Sequence, residues 1–206
     1  MNILGVEQLR TERLAFVATV RSLTDEEYFA GRTLCAQWSP RDVLAHLIST
    51  ADMARYARHA GRVNDANAEG VERLRALSRE ELQRRGEDWA EHPTTIHRLT
   101  ARFFLGDVCV HHQDVLRGLG KPHAVPDFVA AAIFREGVIL STGTKRNLFR
   151  YRVDPTTRGV PTLGRGTLVR GTAEAIGLWL AGRKGIDGEL EFTPAAAHTR
   201  GMAVPT

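Results

Sequence analysis

Residues 35–47 read Cys35-Ala36-Gln37-Trp38-Ser39-Pro40-Arg41-Asp42-Val43-Leu44-Ala45-His46-Leu47. Ser39 suits a helix N-cap and Pro40 the first helical position, while Asp42, three residues past the cap, completes a capping box. This predicts a helix from Pro40 to about His59, with His46 in mid-helix among Val43, Leu44, Leu47, Ile48 and Met53. An imidazole in such apolar company needs a polar partner, because burying a polar group alone is costly.

On the N-terminal side, Val6, Leu9, Phe16, Val17, Val20 and Leu23 fall largely at three- and four-residue spacings, which predicts an amphipathic helix over 5–23. On the other side, residues 61–78 carry Gly, Asn and Asp with few apolar anchors and read as a long loop, followed by a short helix from Ser78 to Trp89. Thr94 to Leu119 has a helical pattern closed by Gly120 and Pro122, and Pro126 opens a further helix reaching about Leu140. Beyond Ser141 the pattern changes. Leu148–Val153 and Thr167–Arg170 alternate like strands, Ala173–Leu180 is helical up to Gly182, and Gly188–Phe192 reads as a last strand. The expected fold is therefore mainly α with a small α/β part: a four-helix bundle over 1–143, then a small C-terminal α/β domain over 144–206.

The 206 residues can bury a substantial core without crosslinks. The two cysteines, Cys35 and Cys109, are too few for a disulfide scaffold and are expected to be core residues. No apolar run approaches the roughly 18 residues of a membrane span, so a soluble, cytoplasmic protein is expected, acting as a monomer or homodimer. Net charge is +4, but the basic residues are interleaved with acids and form no basic helix face, which argues against a nucleic-acid partner. Arg150, Arg152, Arg170 and Arg183 are available to contact an acidic substrate, with solvated surface the expectation for most. Trp38, Trp89 and Trp179 read as packing residues.

The chemistry concentrates in Gly106-Asp107-Val108-Cys109-Val110-His111-His112-Gln113-Asp114-Val115-Leu116-Arg117-Gly118-Leu119-Gly120. Residues four apart lie within about 40° on a helix, so Asp107 and His111 share a face. Such a pair completed by a facing helix is a recurrent metal site in bundle cores, and His46 is the candidate third ligand. Two histidines and one carboxylate form the open, catalytic pattern for zinc, and iron, nickel or manganese accept the same mixture. The spacing also describes a hydrogen-bonded core histidine and an ordinary ion pair between turns. His112 and His123 are expected to face solvent or to support the site from behind.

Residues 35–47 and 106–120, together with Leu178-Trp179-Leu180-Ala181-Gly182-Arg183, resemble the mycothiol-dependent maleylpyruvate isomerase family of the DinB-like superfamily. The resemblance implies a divalent metal on His46, Asp107 and His111, usually zinc, with Asp114 and Arg117 orienting the site. It implies mycothiol as a thiol cosubstrate and an isomerase or thiol transferase acting on a small organic substrate, an unsaturated acid among the candidates. The family usually has glutamate where this chain has Asp107, which shortens the reach by about 1.5 Å. That departure favours the alternative, a metal or small-ligand binding protein that keeps the bundle without activity.

Overall fold

The computed structural model describes residues 5–35, 37–143 and 145–194. Helix α1 (Val6–Arg21) buries Leu9, Phe16, Val17 and Val20, and α2 (Asp25–Ala30) follows with a capping box between Thr24 and Glu27. Helix α3 (Pro40–Ser49) begins as the sequence predicts, with Ser39 and Asp42 exchanging hydrogen bonds across the first turn. It ends ten residues early. Ser49 and Thr50 turn their hydroxyls back onto the carbonyls of His46 and Leu47, and Asp52 caps a separate helix, α4 (Met53–Arg58).

The expected loop over 61–78 is mostly helix α5 (Val63–Leu74). Its Ala66, Gly70, Val71 and Leu74 are buried as it lies against α3. Gly70 is the reason for the contact: a Cβ there would lie 2.5 Å from Ser49 Oγ and 2.8 Å from Arg55 Cζ. A residue that resembles a loop signal is thus a close-packing point. Helix α6 (Arg79–Glu91) starts at the Ser78 cap and packs on α1. The predicted helix from Thr94 to Leu119 divides at Thr100 into α7 (Thr95–Leu99) and α8 (Ala101–Gly118), and α9 (Asp127–Ser141) follows Pro126. Helix α1 packs on α3, α6 and α8, and α3 on α6 and α8, which makes these four the bundle, with α9 lying against α8.

Strand β1 (Tyr151–Pro155) starts three residues later than expected, because 148–150 form a turn. It pairs antiparallel with the two-residue β2 (Leu163–Gly164) and parallel with β3 (Thr167–Gly171). Helix α10 (Ala173–Leu180) and a 3₁₀ turn at Asp187–Glu189 lead to β4 (Glu191–Thr193), antiparallel to β3. The order is β2-β1-β3-β4. One hydrophobic cluster joins Val153, Val169 and Ile176 to Ile133, Phe134 and the bundle interior. Each such fully buried side chain contributes about 1.5–3 kcal/mol. The tightest contact in it is backbone on backbone: a Cβ on Gly137 of α9 would lie 2.2 Å from the carbonyl oxygen of Gly177 in α10. Among the described residues no helix is long and apolar enough to cross a membrane.

Candidate metal centre

Helix α3 carries His46 and α8 carries Asp107 and His111 to one point between them. His46 Nε2 is 3.9 Å from Asp107 Oδ2, and His111 Nε2 is 3.5 Å from Asp107 Oδ1. Ligand atoms of all three lie within 4.8 Å of one another. Two ligands bonded at about 2.1 Å in a tetrahedral arrangement sit about 3.4 Å apart, so this donor set fits a small divalent ion with little adjustment. The shorter aspartate side chain still brings its carboxylate to both imidazoles.

The surroundings orient these groups. His111 Nδ1 is 3.0 Å from Asp114 Oδ2, which holds a proton on Nδ1 and turns Nε2 toward Asp107. Burial alone would lower the His111 pKa, but the bonds to Asp114 and Cys35 and the charge of Asp107 outweigh it and push it up to about 10. The carboxylates that hold a proton on His111 are equally suited to hold a cation. His46 is lowered chiefly by burial, with Asp107 acting against that. It lies beneath Trp38, ring centroids 4.7 Å apart, and its Nδ1 is buried without a hydrogen-bond partner. Burial raises the Asp107 pKa, but His46 and His111 together draw it below the usual range.

Asp114 is completely buried and Arg183 closes on it with both arms of its fork, Nε to Oδ1 at 3.0 Å and Nη2 to Oδ2 at 2.7 Å. Its burial is more than offset by Arg183 and His111, which hold it well below the ordinary carboxylate range. Asp114 is therefore a joint between the C-terminal segment and His111. Arg117 stands elsewhere: it bonds Glu174 and Glu189, tying α8 to α10 and the turn after it. His112 is buried rather than solvent-facing and bonds Glu12 at 2.6 Å and Thr19 at 2.9 Å. His123 bonds the Lys121 carbonyl. Cys109 is core as expected, but Cys35 is not. Its Sγ is 3.1 Å from Asp114 Oδ2 and 3.6 Å from His111 Nδ1, because the segment before α3 bonds back to α8 through Leu34 N and the Asp114 carbonyl.

Over His46, Asp107 and His111 lies a cavity of about 550 Å³. That is within the ~300–1,000 Å³ usual for small-molecule sites. The sequence reading left Cys35 and Trp38 to packing, offered Arg183 only as one of four arginines that could reach a substrate, and did not single out Glu136. Gly182, at φ 86°, ends α10 in the left-handed region and turns Arg183 toward Asp114; that helix-stop glycine was the available signal. Glu136 is 5 % exposed with Oε2 unpartnered, on an otherwise apolar inner face of α9. Burial, reinforced by the charge of Asp107, pushes it up to about 7. A lone acid among Val129, Ala132, Ile133 and Gly137 was its mark in the sequence.

Residues 9–116, more than half of the chain, match the family described as the mycothiol maleylpyruvate isomerase N-terminal domain. The chain belongs to that family. The mycothiol maleylpyruvate isomerase N-terminal domain match spans α1 to most of α8 and contains His46, Asp107 and His111. Two solved structures share the fold over nearly the whole length. A crystal structure of a mycothiol-dependent maleylpyruvate isomerase superposes with a TM-score of 0.60 at 17 % identity, covering 92 % of this chain and 93 % of that one. That of a histidine-to-alanine mutant superposes with a TM-score of 0.60 at 16 % identity and the same coverage. No curated protein is matched by the sequence.

Proposed function

We propose that this chain is a metal- and thiol-dependent enzyme, with mycothiol as the thiol, that isomerises a small organic substrate or transfers the thiol to it. His46, Asp107 and His111 are its metal ligands, and zinc is the ion that best suits two imidazoles and a carboxylate. The observation that carries the reading is the arrangement of these three donors: two imidazole nitrogens and a carboxylate converge beside a cavity large enough for a small molecule. A bound divalent ion there supplies the positive charge that keeps a thiol deprotonated at neutral pH.

The chain's own residues do the rest. Asp114 fixes the His111 tautomer, and Arg183 keeps Asp114 ionised. Trp38 covers His46 and limits water around the donors. Glu136 Oε2, buried and unpartnered in the cavity wall, is able to hold or release a proton near pH 7. The Cys35 thiol in the lining donates to Asp114 at 3.1 Å, which suits a reaction whose sulfur arrives with the cosubstrate.

The experiment is elemental analysis followed by calorimetry. Purified protein should carry near-stoichiometric metal, with His46→Ala and His111→Ala each reducing it sharply, and the loaded protein should bind mycothiol below millimolar concentration. Unchanged metal in both variants would sink the site; metal without thiol binding would return the chain to the class of non-catalytic binders.

A further inference from the structure

The cavity is built for a body without charge. Beyond the ligands, Met53, Tyr56, Val63, Phe103, Phe104 and Leu140 line it, drawn from α4, α5, α8 and α9. Four of these are among the protein's exposed large hydrophobics: Met53 at 50 %, Val63 at 54 %, Phe103 at 52 % and Leu140 at 40 %. Their gathering at one cavity leaves an apolar rim in water, a costly arrangement unless something covers it. Neutral polar groups in the lining come from Thr50, Asn64, Asn67, Cys35 and the Tyr56 hydroxyl; the last already donates to Asn67 at 2.7 Å, and the Cys35 thiol to Asp114.

Charge in the lining points the same way. Among the described residues, apart from the site histidines, the one basic residue lining the cavity is Arg183. Its fork is closed on Asp114, and Nη1 donates to the Ala181 carbonyl, so a second carboxylate meets no free bidentate face. Asp107 and Glu136 add acidic groups. The charges of a divalent ion, one carboxylate and one thiolate sum to zero, which leaves no surplus to attract a small dianion.

From this we infer, resting on the metal- and thiol-dependent reading above, that the second substrate is an uncharged electrophile with an aromatic or branched apolar body and that the reaction is S-transfer to it. The step balances with the thiol alone. A sulfur–carbon bond forms from the thiolate pair. As it forms, either the carbon–leaving group bond breaks, the pair and the thiol's proton going with the leaving group, or the π pair of an activated alkene moves toward its carbonyl and the thiol's proton ends on the α-carbon.

The test uses the full chain, 4-phenylbut-3-en-2-one as the neutral probe and maleate as the dianion. Equilibrium dialysis of metal-free protein should show the enone bound at least about tenfold more tightly than maleate, the size expected from burying one phenyl ring. Phe103→Asp and Val63→Asp, both at half-exposed positions on different helices, should each weaken enone binding about tenfold without lowering metal content. With metal and mycothiol present, free thiol should disappear at least tenfold faster with the enone. Tighter maleate binding, or enone binding unmoved by both variants, overturns the inference. Faster thiol loss with maleate also overturns it, while upholding the thiol-dependent reading. Enone binding that both variants weaken, with no thiol loss from either probe, supports the apolar ligand and defeats the thiol-dependent reading instead.

Discussion

Replacing Gly137 by alanine sets two known effects against each other. In a helix, alanine is better than glycine by about 1 kcal/mol, so propensity alone favours the change. Packing opposes it. The new Cβ would lie 2.2 Å from the Gly177 oxygen and 2.7 Å from its carbonyl carbon, where ordinary contact begins at 3.4 Å. Both are backbone atoms of α10 and have no rotamer to escape through, so α9 and α10 must separate by about 1 Å. Overpacking of a filled core costs about 1–3 kcal/mol, and a rigid backbone obstacle belongs at the upper end. The net expectation is a loss of about 2 kcal/mol, or about 4–8 °C in Tm for a domain of this size. Gly177→Ala, whose Cβ would meet the Ile133 oxygen at 2.5 Å, should cost the same. The double variant should cost clearly less than the two together, because one separation relieves both clashes. Gly188→Ala, with nothing within 4 Å, is the control and should change stability by less than about 0.5 kcal/mol. Urea unfolding read by circular dichroism measures each as a shift in midpoint at constant slope. A neutral or stabilising Gly137→Ala would refute the close approach of the two helices.

The site's supporting groups give further expectations. Asp114→Asn removes the carboxylate that orients His111 and should weaken metal affinity about 10–100-fold in a chelator competition. Arg183→Met leaves Asp114 buried with its charge no longer paired to a guanidinium and should cost about 3 kcal/mol in denaturant unfolding, a penalty relieved when Asp114→Asn is added. Glu136 sits above its unfolded pKa of 4.5, so ionising it opposes folding: the effect is absent well below 4.5 and complete above about 7. In the metal-free protein, Glu136→Gln should therefore raise stability at pH 8 by up to about 3 kcal/mol and leave it unchanged at pH 4. Equal effects at both values would remove Glu136 from the raised-pKa class.

What the sequence made legible was local chemistry with fixed spacing. Ser39, Pro40 and Asp42 announce the start of α3 because a capping box is satisfied within four residues. Asp107 and His111 announce a shared helix face for the same reason. The misreadings needed a neighbour. Gly70 resembles a loop signal until Ser49 and Arg55 occupy the space beside it. Thr50 resembles helix interior until its hydroxyl bonds the Leu47 carbonyl and Asp52 starts a new cap. Cys35 and Arg183 are 148 positions apart and meet only because both approach Asp114, which no spacing rule relates. His46 was a candidate from its apolar surroundings alone, and its meeting with α8 is a property of the bundle.

The break after α3 has a further consequence. The donors ride on α3 and α8, whereas Met53, Tyr56, Val63, Asn64 and Asn67 ride on α4 and α5, two short surface helices that contribute no donor. Between them the chain turns through Ala60 at φ 48° and Gly61 at φ 85°, a connection that tolerates changes in length better than a helix interior does. Admission and reaction are thus carried on separable pieces of chain. Lengthening the connection at 60–62 offers a route to new guests while the reacting end of the chamber keeps its geometry.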